Sequence, residues 1–187
     1  MSNLSERFVL DATILNHMAR IDRLDVLSEL LASDECFTTL VVLDELRAGE
    51  KFCPELGQVP QQTWLKTSLS SAMVADDDYI SAMRKWESRI GASMRNRGEC
   101  SVFALAELLP AVAITDDSQA TRVARASGLE DVHGTVWLLS RACRLGKTTV
   151  RQVEIMVDAL EGAGMRLPCT GASYEAYAQK HGLLFVA

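Results

Sequence analysis

The sequence predicts an α/β protein built on a mostly parallel central sheet. Short apolar runs such as "FVL" (residues 8–10) and "AVAIT" (residues 111–115) read as interior strands. Each is followed by apolar residues at helical spacing, the alternation that gives a parallel sheet flanked by helices. Both runs also end on acid, Asp11 after the first and Asp116 with Asp117 after the second. Sites in such sheets lie beyond the carboxyl ends of the strands, so these acids are expected on one rim.

The strand at 8–10 leads into a helix-like pattern through Ile14, Leu15, Met18, Ile21, Leu24, Leu27 and Leu30. "CFTTLVVLDELRAGE" fits either state by periodicity; it is read as a strand over 36–38, an N-cap at Thr39 and a helix over 40–47 stopped by Gly49. Residues 50–70 carry the breaks of "CPELGQVPQ" and predict a loop with a short strand around Trp64 and Leu65. "ADDDYISAMRKWESRIGASMRNRGE" predicts a helix with Met83, Trp86 and Ile90 on one face, and "GECSVFALAELL" predicts a second. After the strand in "AVAIT", Ala120, Val123, Ala124 and Ser127 mark a helix closed by Gly128. "VHGTVWLLSRACRLGK" reads as a turn and helix, and "TTVRQVEIMVDALEGAG" as an amphipathic helix. The remainder reads as a short strand and a terminal helix.

At 187 residues the chain suits one well-buried domain, with little room for a second. Hydrophobic residues make up 48% and charged residues 24%, ordinary for a soluble protein. A net charge of −6 gives no general attraction to nucleic acid or an anionic membrane. A polyanionic substrate would therefore need a local basic surface or a bound cation. The five cysteines (Cys36, Cys53, Cys100, Cys143, Cys169) are odd in number and form no C-x-x-C pair. That speaks against a disulfide framework or structural zinc and for a reducing compartment. With no signal pattern and no spanning apolar run, a cytoplasmic protein without membrane contact is expected.

Each acid alone has a bland explanation. Asp11 and Asp117 (or Ser118) could cap helices, Glu99 could favour the first turn of its helix, and Glu45 could lie on a solvated face. Asp76, Asp77 and Asp78 read most simply as a solvated helix start. Capping does not explain acids gathered at one rim, because carboxylates brought together repel unless a cation lies among them. An all-oxygen set without His or Cys suits Mg²⁺ or Mn²⁺ better than zinc. Such ions activate water and stabilise the leaving oxygen in phosphodiester cleavage.

"FVLDATILNHMARIDRLDVL", "VVLDEL", "RGECSVFALAEL" and the long "ITDDSQATRVARASGL" to "RLGKTT" block resemble, in order, the motif blocks of PIN-domain ribonucleases. They are most similar to the branch with R-G-E and D-D-x-x-A-R motifs, which includes VapC-like toxins of toxin–antitoxin pairs. The resemblance spans about residues 7–165, leaving a charged helical insert at about 72–97 and a C-terminal extension at 166–187. It implies a single PIN-like domain, a three-layer α/β/α sandwich, and an Mg²⁺- or Mn²⁺-dependent endoribonuclease site. Asp11 matches the first-strand aspartate, Glu45 the helix acid, Glu99 the acid of "GE", and Asp117 the T-x-D aspartate. Asp116 is the extra acid of this branch, and Thr13 matches a hydroxyl residue beside the first aspartate; Ala12 stands where a hydroxyl is common. The resemblance further implies an RNA substrate, a homodimer and a cognate antitoxin protein. A housekeeping RNA-processing nuclease and a non-catalytic PIN-like module binding RNA or protein are the alternatives.

Other chemistries find no support. His17, His133 and His181 match no ligand spacing, and no G-x-S-x-G or Walker A motif is present. Basic residues collect at 84–97 and at Arg122, Arg125, Arg141, Arg144 and Lys147. Each is either a solvated charge or part of an RNA path. Arg95, Arg97 and Arg122 are the candidates nearest the acidic motifs.

Overall fold

Strand β1 (Arg7–Leu10) is buried at all but its first residue, which places it in the middle of the sheet. In the computed structural model, which describes residues 5–67, 74–91, 93 and 96–185, five parallel strands run in the order β3-β2-β1-β4-β5. β2 (Glu35–Thr38) pairs Cys36 with Phe8, β4 (Val112–Ile114) pairs Val112 with Phe8, and β3 (Leu65–Thr67) lies outside β2. The chain builds outward from β1 to β3, then returns to the other side of β1 for β4 and β5 (Val132–His133). That reversal opens a crevice between the carboxyl ends of β1 and β4, where Asp11 and Asp116–Asp117 stand. The flanking helices complete the α/β/α sandwich.

α1 (Ala12–Arg20) and α2 (Leu24–Leu30) divide what the sequence reads as one helical pattern. The break falls at Asp22, whose φ of 53° is left-handed and ends α1, while both halves still face the core. Thr39 caps α3 (Leu40–Glu50) by accepting the Val42 N–H at 3.2 Å. Gly49 does not stop α3 as expected, because the helix continues to Glu50. The loop expected after it contains a 3₁₀-helix, Pro54–Gln61, with Leu56 and Val59 buried.

α4 (Asp76–Ile90) is more than a charged insert. Its Trp86 is 1% exposed and packs edge-on against Phe103 of α5 (Arg97–Leu108), with ring centroids 5.4 Å apart. The indole N–H donates to Glu107 at 3.0 Å, so this large ring is both packed and satisfied. α6 (Ser118–Ala126) follows β4, and β5 is a short strand inside a stretch read as a turn. α7 (Thr135–Arg144) and α8 (Val150–Gly162) follow, α8 starting with a Thr149/Gln152 capping box.

The short strand expected after residue 165 is absent: among the described residues the chain runs irregularly from α8 to α9 (Gly171–Lys180). Pro168 has no amide to give a sheet ladder, and the Gly171 N–H is used on Asp158 at 2.8 Å. α9 belongs to the core, since Tyr174 is fully buried with its hydroxyl 2.9 Å from Ser140 of α7. All five cysteines are free thiols, and no helix among the described residues is long and apolar enough to cross a membrane.

Candidate acidic active site

Asp11 stands at the N-cap of α1, yet its side chain makes no capping hydrogen bond. Its backbone N–H donates to Ile114 at 3.0 Å, extending the β1–β4 pairing by one residue and fixing Asp11 beside β4. The carboxylate, 2% exposed, accepts hydroxyl hydrogen bonds from Thr13 and Thr115, both at 3.2 Å on Oδ2. Burial pushes the Asp11 carboxyl up, against the opposing pull of the Ala12 and Thr13 amides and the two hydroxyls. Asp34 is a useful contrast. Its side chain is equally buried at 2%, but both its oxygens meet the Arg141 guanidinium at 3.0 and 3.1 Å. The protein thus neutralises the Asp34 carboxylate with its own arginine and gives Asp11 neutral hydroxyls.

Glu45 projects from α3 and Glu99 from the first turn of α5. A hydrogen bond from Thr39 to Ser101 at 2.7 Å, and one from Ser101 to the Gly98 carbonyl at 2.6 Å, fasten these two helix starts together. Glu45 is exposed as a residue, but its carboxylate leans over Gly98 and accepts that residue's backbone N–H. Partial burial and then repulsion from Asp11 push Glu45 up to about 6, with Arg97 pulling the other way. Glu99, half-buried, is pushed up to about 7, by burial first and then by Asp11, Asp117 and Glu45. Asp11, Glu45, Glu99 and Asp117 therefore feel one another's charge across the crevice.

The adjacent aspartates divide their work. Asp117 caps α6, its Oδ1 accepting the Ala120 N–H at 2.7 Å, which leaves Oδ2 outside the cap. Asp116 is placed differently from the other four acids. Its two oxygens accept the N–H and the hydroxyl of Thr135, at 2.9 and 2.6 Å, tying the end of β4 to the start of α7. A β-carbon at Gly134 would stand 2.7 Å from Asp116 Oδ1, so this approach requires a bare backbone. Asp116, expected to face a metal with Asp117, thus has one hydrogen bond from Thr135 on each of its oxygens, which leaves each a further lone pair.

The basic residues separate as sharply. Arg141 is buried against Asp34 and Glu6, and Lys147 donates to the Leu30 carbonyl and Ser33, so both are structural. Arg144 donates to the Leu183 carbonyl, and Lys85 pairs with Glu107. Arg122 is exposed beside Asp117, and Arg97 stands at the start of α5 near Glu45. Arg95 lies outside the described residues.

Among the described residues no group of three or more His, Cys, Asp and Glu side chains forms a ready metal-holding set. The acids form an open rim rather than a closed cage. Mg²⁺ and similar hard ions are commonly held this way, by one or two carboxylates completed by water and substrate phosphate oxygens. The donor chemistry fits: all oxygen, mutually repelling, with neutral hydroxyls on the deepest member. Sequence reasoning missed the residues that orient these acids, namely Thr115, Thr135, Gly98 and Gly134. The Thr immediately before "DD" and the "HGT" triplet were the available signals.

A family model described as a PIN domain (DUF3368) matches residues 7–180. No curated protein and no solved structure matches the chain.

Proposed function

Given that this chain belongs to the PIN-domain family, whose members are generally nucleases that use divalent metals, we propose that it is an Mg²⁺- or Mn²⁺-dependent endoribonuclease. The observation that carries this reading is the buried Asp11, held by neutral hydroxyls and facing three further acids, whereas the buried side chain of Asp34 has its own arginine. Asp11, Glu45, Glu99 and Asp117 are the residues that would hold the ion. Bound there, the ion would supply an activated water and offset charge on the phosphate.

The remaining tasks fall to this chain's own side chains. Thr13 and Thr115 fix the Asp11 carboxylate from two sides, one on α1 and one at the end of β4. Gly98 lets Glu45 lean inward, and the Asp117 cap fixes the orientation of its second oxygen. Asp116 acts as a positioning residue that holds β4 and α7 in register beneath the rim. This is the preorganisation that a reactive phosphate needs, since misplacement of a ligand costs rate steeply.

The R-G-E motif and the Asp116–Arg122 run "DDSQATR", which is similar to D-D-x-x-A-R with one residue more before the arginine, further support a toxin of a toxin–antitoxin pair, acting on RNA as a homodimer and restrained by a cognate antitoxin. With a net charge of −6, the protein benefits from pairing two local basic surfaces into one groove. The defining experiment is hydrolysis of labelled RNA by the purified protein. Cleavage should require Mg²⁺ or Mn²⁺, stop in excess chelator and return when metal is restored. Undiminished cleavage in chelator, in a preparation free of other nucleases, would sink the proposal.

A further inference from the structure

Beside Asp117 the surface falls into a groove of about 820 Å³ between α6 and the α8–α9 connection. Arg122, Arg125 and Arg166 line it. Among the described residues neither Arg122 nor Arg166 has a hydrogen-bond or ion-pair partner, and both are exposed. Arg125 gives one nitrogen to the Val132 carbonyl at 2.5 Å, which anchors the side chain at the groove wall. Three arginines concentrated here, in a protein of net charge −6, form a local cationic track that starts at the acidic rim.

The track continues into a second hollow of about 490 Å³, which shares Asp116, Arg125, Gly134 and Pro168 with the first. Its walls are aromatic. His133 and Trp137 stack in parallel, 3.9 Å apart at 8°, and Tyr177 and His181 face each other at 4.3 Å. Trp137 and Tyr177 are both only half-buried, and the Arg144 guanidinium lies 5.8 Å from the Trp137 ring. Burial and then Arg125 hold the His133 imidazole down to about 4, so its stack with Trp137 is uncharged at neutral pH. Arginines leading from the acids to flat, partly open rings match a nucleotide strand, phosphates on the track and a base among the rings.

We propose that this groove is the substrate path for single-stranded RNA, with Arg122, Arg125 and Arg166 on successive phosphates and one unpaired base seated in the Trp137–Tyr177 hollow. The proposal rests on the nuclease reading for its direction, from the acids outward. A base already stacked within a duplex cannot enter such a hollow, so the path selects unpaired RNA.

The test is fluorescence anisotropy of a short fluorescein-labelled RNA of mixed sequence, in chelator so that nothing is cut. The same RNA annealed to its complement is the comparison. Single-stranded RNA should bind more tightly than duplex, and Trp137→Leu should weaken it about tenfold, the worth of one stacked base. Arg122→Gln/Arg166→Gln, at two exposed positions that do not threaten folding, should lower the slope of log affinity against log salt by about 1.4. In Mn²⁺ the double variant should raise KM more than it lowers kcat.

Duplex binding as tight as single-strand binding, or a double variant with wild-type affinity and salt slope, overturns the groove. If that happens while the wild type still cleaves RNA, the nuclease reading stands alone. If the variants weaken binding as expected but the wild type never cleaves in Mn²⁺, the RNA path stands and the nuclease reading falls.

Discussion

The carboxylate of Glu45 rests on Gly98: a β-carbon at that position would stand 2.9 Å from Glu45 Oε2 and 3.0 Å from Oε1. Gly98 sits in the first turn of α5 directly before Glu99, so one small residue sets how closely two acids on different helices approach. What Gly98→Ala displaces is the end of a flexible side chain, not backbone. Alanine also gains up to about 1 kcal/mol of helix propensity over glycine. The variant should therefore fold with stability within about 1 kcal/mol of wild type. Its metal-dependent cleavage should drop well below wild type, read from thermal melts and RNA hydrolysis on the same preparation. A variant that keeps full activity would show that Glu45 need not lean inward.

Asp116 and Asp117 should behave as opposites. Asp116→Ala leaves the Thr135 N–H without its acceptor and unfastens β4 from α7, costing about 1–3 kcal/mol. It should melt lower yet keep its stabilisation by Mn²⁺. Asp117→Asn keeps an oxygen for the α6 cap and relieves repulsion on Glu99, so without metal it should melt at or above wild type while losing most of its response to Mn²⁺. Melting curves of both variants, with and without Mn²⁺, check this; the reverse pattern would return Asp116 to the metal site.

How much of this was readable from the chain follows the range of the interactions. β1, β4 and the acids that end them were legible because an apolar run stopped by Asp is a local signal, and their shared rim follows from parallel topology. Thr39 as a cap was equally local. The split between Asp116 and Asp117 was not, because the partner of Asp116 lies at Thr135, beyond α6 and β5. Likewise "RACRLGK" carries cations that look alike in sequence, yet Arg141 is consumed by Asp34, which lies before β2. The charged composition of α4 concealed Trp86, whose burial depends on Phe103 from the next helix.

The raised acids give a pH signature of definite sign. Glu45 and Glu99 move from an ordinary 4.5 up to about 6 and about 7 in the folded protein. A group whose folded pKa is raised contributes stability that is fully present below its unfolded value and is lost as pH rises through the folded value. Metal-free protein should thus lose this contribution between about pH 4.5 and about pH 7, and Glu99→Gln should show a shallower fall. Mn²⁺ affinity should run the other way, strengthening as pH rises through about 7, because the ion needs the charged carboxylate. Melting and Mn²⁺ titrations at about pH 5 and about pH 8 report both trends; an affinity flat across that range would remove Glu99 from the ligand set.

The toxin reading predicts company. Light scattering should give a dimer, and the product of an adjacent small gene should bind tightly and abolish cleavage. A basic side chain placed among the carboxylates by such a partner would replace the cation in the charge balance. A strictly monomeric protein that binds no neighbouring gene product would favour a housekeeping RNA-processing nuclease.

The central claim is that Asp11 anchors a divalent cation among carboxylates that otherwise repel one another. Thermal melting of wild type and Asp11→Asn, each with and without Mn²⁺, tests it most directly. Without metal the variant should melt higher, since removing a buried charge relieves repulsion and the Thr13 and Thr115 hydroxyls can turn to accept from an amide. Added Mn²⁺ should raise the wild-type melting temperature and leave the variant nearly unmoved. Equal gains in the two proteins would contradict the assignment, because the ion would then be bound without Asp11.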